Sequence, residues 1–119
     1  MANEHLKTAA SNIQRAVSDV RLLQSQIRAE MENTKRKNEQ LIKDIHKQMA
    51  QLERGVQNPN MRDSDKLANR TKEQMLQAEI SKIQAETEKY IRERNQQLHG
   101  LDGQATEFES LSTHLQQIA

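Results

Sequence analysis

The sequence predicts an all-α protein folded as a long antiparallel helical hairpin, and three observations carry that expectation. Apolar residues recur at seven-residue spacing through both halves of the chain. Residues that favour helices (Ala, Leu, Gln, Glu, Lys and Arg) dominate. The single proline sits near the middle, among other turn-forming residues. With 34% hydrophobic and 2% aromatic residues, the 119-residue chain is too polar for a thick core, and a net charge of +1 argues against a self-repelling disordered chain. A thin helical seam satisfies both constraints.

The first helix is expected over residues 4–54. One apolar row runs Leu6, Ile13, Val20, Ile27, Thr34, Leu41, and a second runs Ala10, Val17, Gln24, Met31, Asn38, Ile45, Leu52. Together they form one stripe along a rod of about 75 Å, which needs a partner helix to be stable. The polar members Gln24, Thr34 and Asn38 read either as register-setting residues or as plain imperfections.

The tip is expected at 55–64. Gly55 is read as a left-handed helix-closing residue, with Val56 folding back over Leu52. Asn58-Pro59-Asn60 demands a turn, and Asp63 or Ser64 is placed to cap the next helix, with Asp65 favouring its positive end.

The second helix is expected over 65–99, with Leu76, Ile83 and Tyr90 in one row and Ile80, Thr87, Arg94 and Leu101 in the other. Near its start Leu67, Ala68, Thr71 and Met75 follow a shifted stripe. Leu98, Leu101, Ala105, Phe108, Leu111, Leu115 and Ile118 form the cleanest apolar face of the chain. Gly100 and Gly103 predict a break or kink there, with a separate C-terminal helix over 103–118. Folding the halves about the tip aligns Leu41 with Ile80, Ile45 with Leu76, Thr34 with Thr87, Val20 with Leu101, Ile13 with Phe108, Ala10 with Leu111 and Leu6 with Leu115.

Charge suggests association. Arg21, Arg28 and Lys35 are seven apart on one flank of the first seam, and Glu79, Glu86 and Glu93 are seven apart on a flank of the second. Within one hairpin these rows fall on opposite sides, so they meet only between hairpins or stay solvated. A lone two-helix hairpin is marginal. Leu23, Ile42, Met49, Ile91 and Leu98 also lie beside the seam and widen it. The expectation is a homodimer with a four-helix-bundle core.

No site for chemistry is apparent. Cysteine is absent, and His5, His46, His99 and His114 lack the spacing that places two ligands on one helical face. Gly100-Leu101-Asp102-Gly103 lacks the spacing of a phosphate loop. Asn69-Arg70-Thr71 fits a glycosylation sequon, read as chance. No enzyme activity, cofactor or metal is therefore expected.

No apolar run reaches the length of a membrane span. Residues 95–119 contain no Lys or Arg, against lipid-surface binding by the C-terminal face. The polar start gives no secretory signal, so a cytoplasmic setting is expected. The expected role is a structural, adaptor or chaperone-like protein whose partners are a second copy and another protein. Its contact surfaces are the Leu98–Ile118 face and the tip around Pro59 and Met61. In shape alone it is similar to helical-hairpin export chaperones and coiled-coil adaptors, with no shared motif. A rival role, association with nucleic acid, would use Arg21, Arg28 and Lys35-Arg36-Lys37; neither a basic balance nor stacking aromatics support it. In another rival shape, a parallel rod, the tip is merely a break.

Overall fold

The computed structural model describes residues 2–119 and is an antiparallel hairpin of two helices, α1 (Ala2–Val56) and α2 (Asp63–Ile118). The chain doubles back at the proline, as expected, in place of running on as a rod. Both helices contribute to each of two compact units: one holds the described residues up to Met31 with Ile91–Ala119, the other Glu32–Tyr90. They are called here the terminal unit and the tip unit.

In the tip unit, α1 gives way to a turn whose polar groups are satisfied locally. The Met61 amide donates to the Asn58 carbonyl at 3.1 Å, and the Asn60 amide donates to Asn58 Oδ1 at 3.0 Å. Pro59 therefore holds the second position of a β-turn. Since no described non-glycine residue has positive φ, Asn60 does not adopt the left-handed conformation that a type II turn requires. The helix α2 starts at Asp63, with Lys66 N–H donating to the Arg62 carbonyl at 3.0 Å. Asp63 and Asp65 thus lie inside the first turn, where they complement the helix dipole. The expected capping site at Asp63 or Ser64 is displaced to Arg62.

Gly55 corrects another expectation. No described glycine has positive φ, and Gly55 lies inside α1 as an ordinary helical residue. Its value is space. A Cβ there would stand 2.8 Å from Asn69 Nδ2 and 2.9 Å from Met61 Cε. Asn69 is held in that position by donating across the helices to the Leu52 carbonyl at 3.1 Å. Val56, expected to fold back over Leu52 beyond a helix-closing glycine, is instead the buried last residue of α1.

In the terminal unit, α2 runs through Gly100 and Gly103 without interruption, so the expected helix over 103–118 is the end of α2 and the described residues form no third helix. Two interior glycines cost roughly 1 kcal/mol each. Ending the helix would forfeit the packing of Leu101, Ala105 and Phe108, a larger loss. Thr106 and Thr113 return their hydroxyls to the carbonyls four residues earlier, which keeps these side chains compatible with the helix.

The seam departs from strict seven-residue spacing once in each helix. Along α1 the inward residues run Ile27, Met31, Thr34, Asn38, and then Ile42, Ile45, Met49, Leu52, Val56. Along α2 they run Ile83, Thr87, Tyr90, Arg94, and then Leu98, Leu101, Ala105, Phe108, Ser112, Leu115. Each sequence contains two consecutive steps of four, an eleven-residue repeat inserted among heptads. Such a step lets a nearly straight helix keep its stripe facing its partner.

Candidate interaction surfaces

Of the residues expected in the seam, Leu6, Ile13, Val17, Val20, Leu98, Leu101, Phe108 and Leu115 are half-buried in the terminal unit, where Ile27 is buried. In the tip unit Ile45, Leu76, Ile83 and Tyr90 are half-buried and Ile80 is buried. Three do not fit. Leu41, Leu111 and Ile118 are exposed by 43%, 46% and 53%, because the eleven-residue steps turn them out of the seam. Ser112 takes the place expected for Leu111, donating its hydroxyl to the Ala10 carbonyl at 3.1 Å. The polar partner of Thr87 is Asn38, at 2.6 Å, where Thr34 was expected. A serine carries no sequence signal for burial, so only the shifted stripe finds Ser112.

Polar residues inside the seam are partnered across the helices. Gln24, 1% exposed, donates through Nε2 to the Leu98 carbonyl at 3.3 Å and accepts from Arg21 Nη1 at 3.0 Å. A buried amide with both ends satisfied favours one register over its neighbours. Thr87 passes its own hydroxyl to the Ile83 carbonyl at 2.7 Å. These bonds support the register-setting reading of Gln24 and Asn38.

The charge rows are placed as follows. Arg21 bridges to Asp102 at 2.7 Å and to Glu109 at 3.4 Å within its own chain. Hydrogen bonding to Arg21, then its charge, holds the Asp102 carboxyl below the usual carboxylate range. The same bond raises the pKa of Arg21 itself. Arg28, Lys35, Glu79, Glu86 and Glu93 are exposed. Arg36, from the basic triplet, pairs with Glu32 at 3.2 Å.

Near the tip, Glu73 meets Glu53 from the facing helix, with Arg70 3.9 Å from Glu53. Removal from water, and then the neighbouring Glu53 charge, push the Glu73 carboxyl above its ordinary range. Its Oε1 is buried without a donor.

An open groove of about 610 Å³ lies in the tip unit, lined by Leu52, Gly55, Met61, Asn69, Met75 and Leu76 together with Gln48, Gln51 and Lys72. Its methionines are adaptable apolar contacts. Leu67 and Met75 are each 68% exposed. Asn69 of the sequon is half-buried here and engaged with Leu52.

Among the described residues there is no group of three His, Asp or Glu positioned to hold a metal, and no helix long and apolar enough to cross a membrane. Comparison with protein-family models, curated proteins and solved structures finds no match to this chain.

Proposed function

We propose that the protein is a non-enzymatic structural or adaptor module, chaperone-like in the sense that it offers apolar helix surfaces to other chains and associates with itself. The observation that carries this reading is a mismatch between core and surface. Among the described residues, the buried hydrophobic ones are Ala10, Ile27, Val56, Ile80 and Ala105, two of them alanines. The exposed large ones are Leu22, Leu23, Leu41, Leu67, Met75, Leu111 and Ile118. The chain exposes 8848 Å², against roughly 6,600 Å² for a compact chain of its mass. That excess is comparable to the surface a stable subunit interface removes from water. A homodimer with a four-helix-bundle core is the assembly this reading favours, with the cytoplasm as its expected compartment.

Sedimentation equilibrium across a concentration series tests the proposal. The expected result is a species of twice the 13.8 kDa chain mass that persists on dilution to micromolar protein. A monomer at every concentration that also binds no apolar helical peptide would overturn it.

A further inference from the structure

The terminal unit has two flanks of opposite chemistry, and the Arg21 cluster shows which residues share each. Arg21 reaches Asp102 and Glu109, so these three mark one flank of the helix pair. Leu23 lies two residues beyond Arg21, and Leu111 two beyond Glu109. Each is therefore turned by roughly 200° from the bridging side chain, onto the other flank. Ile118 follows Leu111 by two turns. On this second flank Leu23, Leu111 and Ile118 are exposed by 42%, 46% and 53%.

The charges on that flank all have one sign. Asp19 and Glu30 lie one and two turns from Leu23, and Glu107 and Glu93 lie one and five turns from Leu111. All four are exposed, and no ion pair among the described residues neutralises them. No Lys or Arg occupies the corresponding positions of either helix.

Gly100 adds a third observation. It lies three turns before Leu111 on the same line, is helical, has no positive φ, and would meet nothing within 4 Å if it carried a Cβ. Neither backbone conformation nor packing within the chain requires glycine there, and a bare backbone is what a closely approaching helix needs.

We infer that this flank docks a basic amphipathic helix from another protein, its apolar residues against Leu23, Leu111 and Ile118, its backbone close to Gly100, and its Lys or Arg edges against the four carboxylates. The inference rests on the reading of the chain as an association module and adds the surface and the partner's chemistry. A second copy presenting this same flank would bring like charges together, so the charge pattern favours a different chain.

The test uses the full chain and two labelled synthetic peptides of about 18 residues, long enough for five helical turns. One carries Leu on one face and Lys on the other; its counterpart has Glu in place of Lys. Fluorescence anisotropy should show binding of the Lys peptide alone. Leu111→Gln with Ile118→Gln should weaken binding at least tenfold. Glu93→Gln with Glu107→Gln should weaken it and flatten its salt dependence. Gly100→Gln should weaken it while the protein melts no lower than its parent, which separates docking from folding. Equal affinity for both peptides, or binding indifferent to the Leu111 and Gly100 changes, would overturn the inference. So would conversion of a dimeric parent to monomers by Leu111→Gln, since a second copy would then fill the flank. A dimer that survives Leu111→Gln but binds no peptide sinks this inference alone and leaves the association reading standing.

Discussion

The terminal and tip units bury different kinds of residue. In the terminal unit the most buried positions are Ala10, Gln24, Ile27, Ala105 and Ser112, mostly small or polar. In the tip unit they are Val56 and Ile80, both branched aliphatics. Small residues let two helices approach closely but remove little apolar surface from water. The terminal seam therefore adds cross-helix hydrogen bonds to its half-buried apolar contacts, while Leu22, Leu23, Leu111 and Ile118 stay exposed. The tip seam has its own bonds, Asn38 to Thr87 and Asn69 to Leu52, but its most buried positions are aliphatic and lie beside a turn that already joins the helices. The same two helices thus supply an apolar anchor at one place and a register device with an exposed flank at the other.

The sharpest way to break that contrast is to truncate one large residue in each unit. Ile80 is 2% exposed, so Ile80→Ala should destabilise the protein by about 2–5 kcal/mol through lost burial and the cavity left behind. Leu111→Ala should change stability by no more than about 1 kcal/mol, since close to half of that residue is open to solvent. Urea unfolding of both variants decides the matter. Comparable losses would mean that Leu111 belongs to the folded core and that the terminal seam is as aliphatic as the tip.

Gln24 sharpens the terminal half of the comparison. Gln24→Ala removes the bond to Leu98 and a buried side chain, at an expected cost of about 1–3 kcal/mol. Gln24→Leu should cost less in unfolding but loosen the register. Disulfide trapping between cysteines introduced at Ala10 and Ser112 reads this directly: the bridge should form quickly in the parent background and more slowly when Gln24→Leu is also present. An unchanged trapping rate would assign Gln24 no part in setting register.

The hairpin and its turning point were legible because proline and heptad spacing are strong local signals. The inward face was legible along most of both helices, Ile45, Leu98, Leu101, Ala105, Phe108 and Leu115 included, and failed at single positions after each eleven-residue step. Beyond Asn38 in α1 and Arg94 in α2, counting by seven points to Leu41, Leu111 and Ile118, while the structure turns Ile42 and Ser112 inward in place of Leu41 and Leu111. The tendency to place the largest apolar residue inward reinforces the error, since Ser112 does not announce itself as core. Gly100 and Gly103 misled for a related reason. Glycine lowers helix propensity by an amount that packing of Leu101 and Phe108 readily overrides. Gly55 shows the converse, a glycine required by a neighbour on the other helix, which no local reading reveals. The acidic flank was partly visible in the missing Lys and Arg of residues 95–119, but its union with Leu23 needed the Arg21 bridge.

The two glycine settings give a smaller, opposed pair of effects. Gly100→Ala should stabilise the protein by about 1 kcal/mol, because the space is empty and alanine is the better helix former. Gly55→Ala should fall at least about 1 kcal/mol short of that gain, since its Cβ would displace Asn69 from the Leu52 carbonyl. Thermal melts of the two variants beside the parent test the difference. Equal gains would mean that the close approach at Gly55 relaxes freely.

The smallest effects are those of pH, and the two units should respond with opposite sign. The Asp102 pKa is lowered in the folded protein by its hydrogen bond to Arg21, so its contribution is present above the ordinary carboxylate range and is lost as pH falls through the lowered value. The Glu73 pKa is raised by partial removal from water and by Glu53, so its contribution is present in acid and is lost as pH rises through the raised value. Asp102→Asn should accordingly lower the melting temperature at neutral pH and match the parent in acid. Glu73→Gln should raise it at neutral pH and converge on the parent as both carboxyls protonate. Both side chains remain in contact with solvent, so salt should shrink each difference. Melting curves of the two variants at neutral and acid pH, with and without added salt, provide the measurement. Differences of the same sign would show that Glu53 and Glu73 do not oppose each other across the tip, and that the tip unit carries no electrostatic cost for its aliphatic packing to offset.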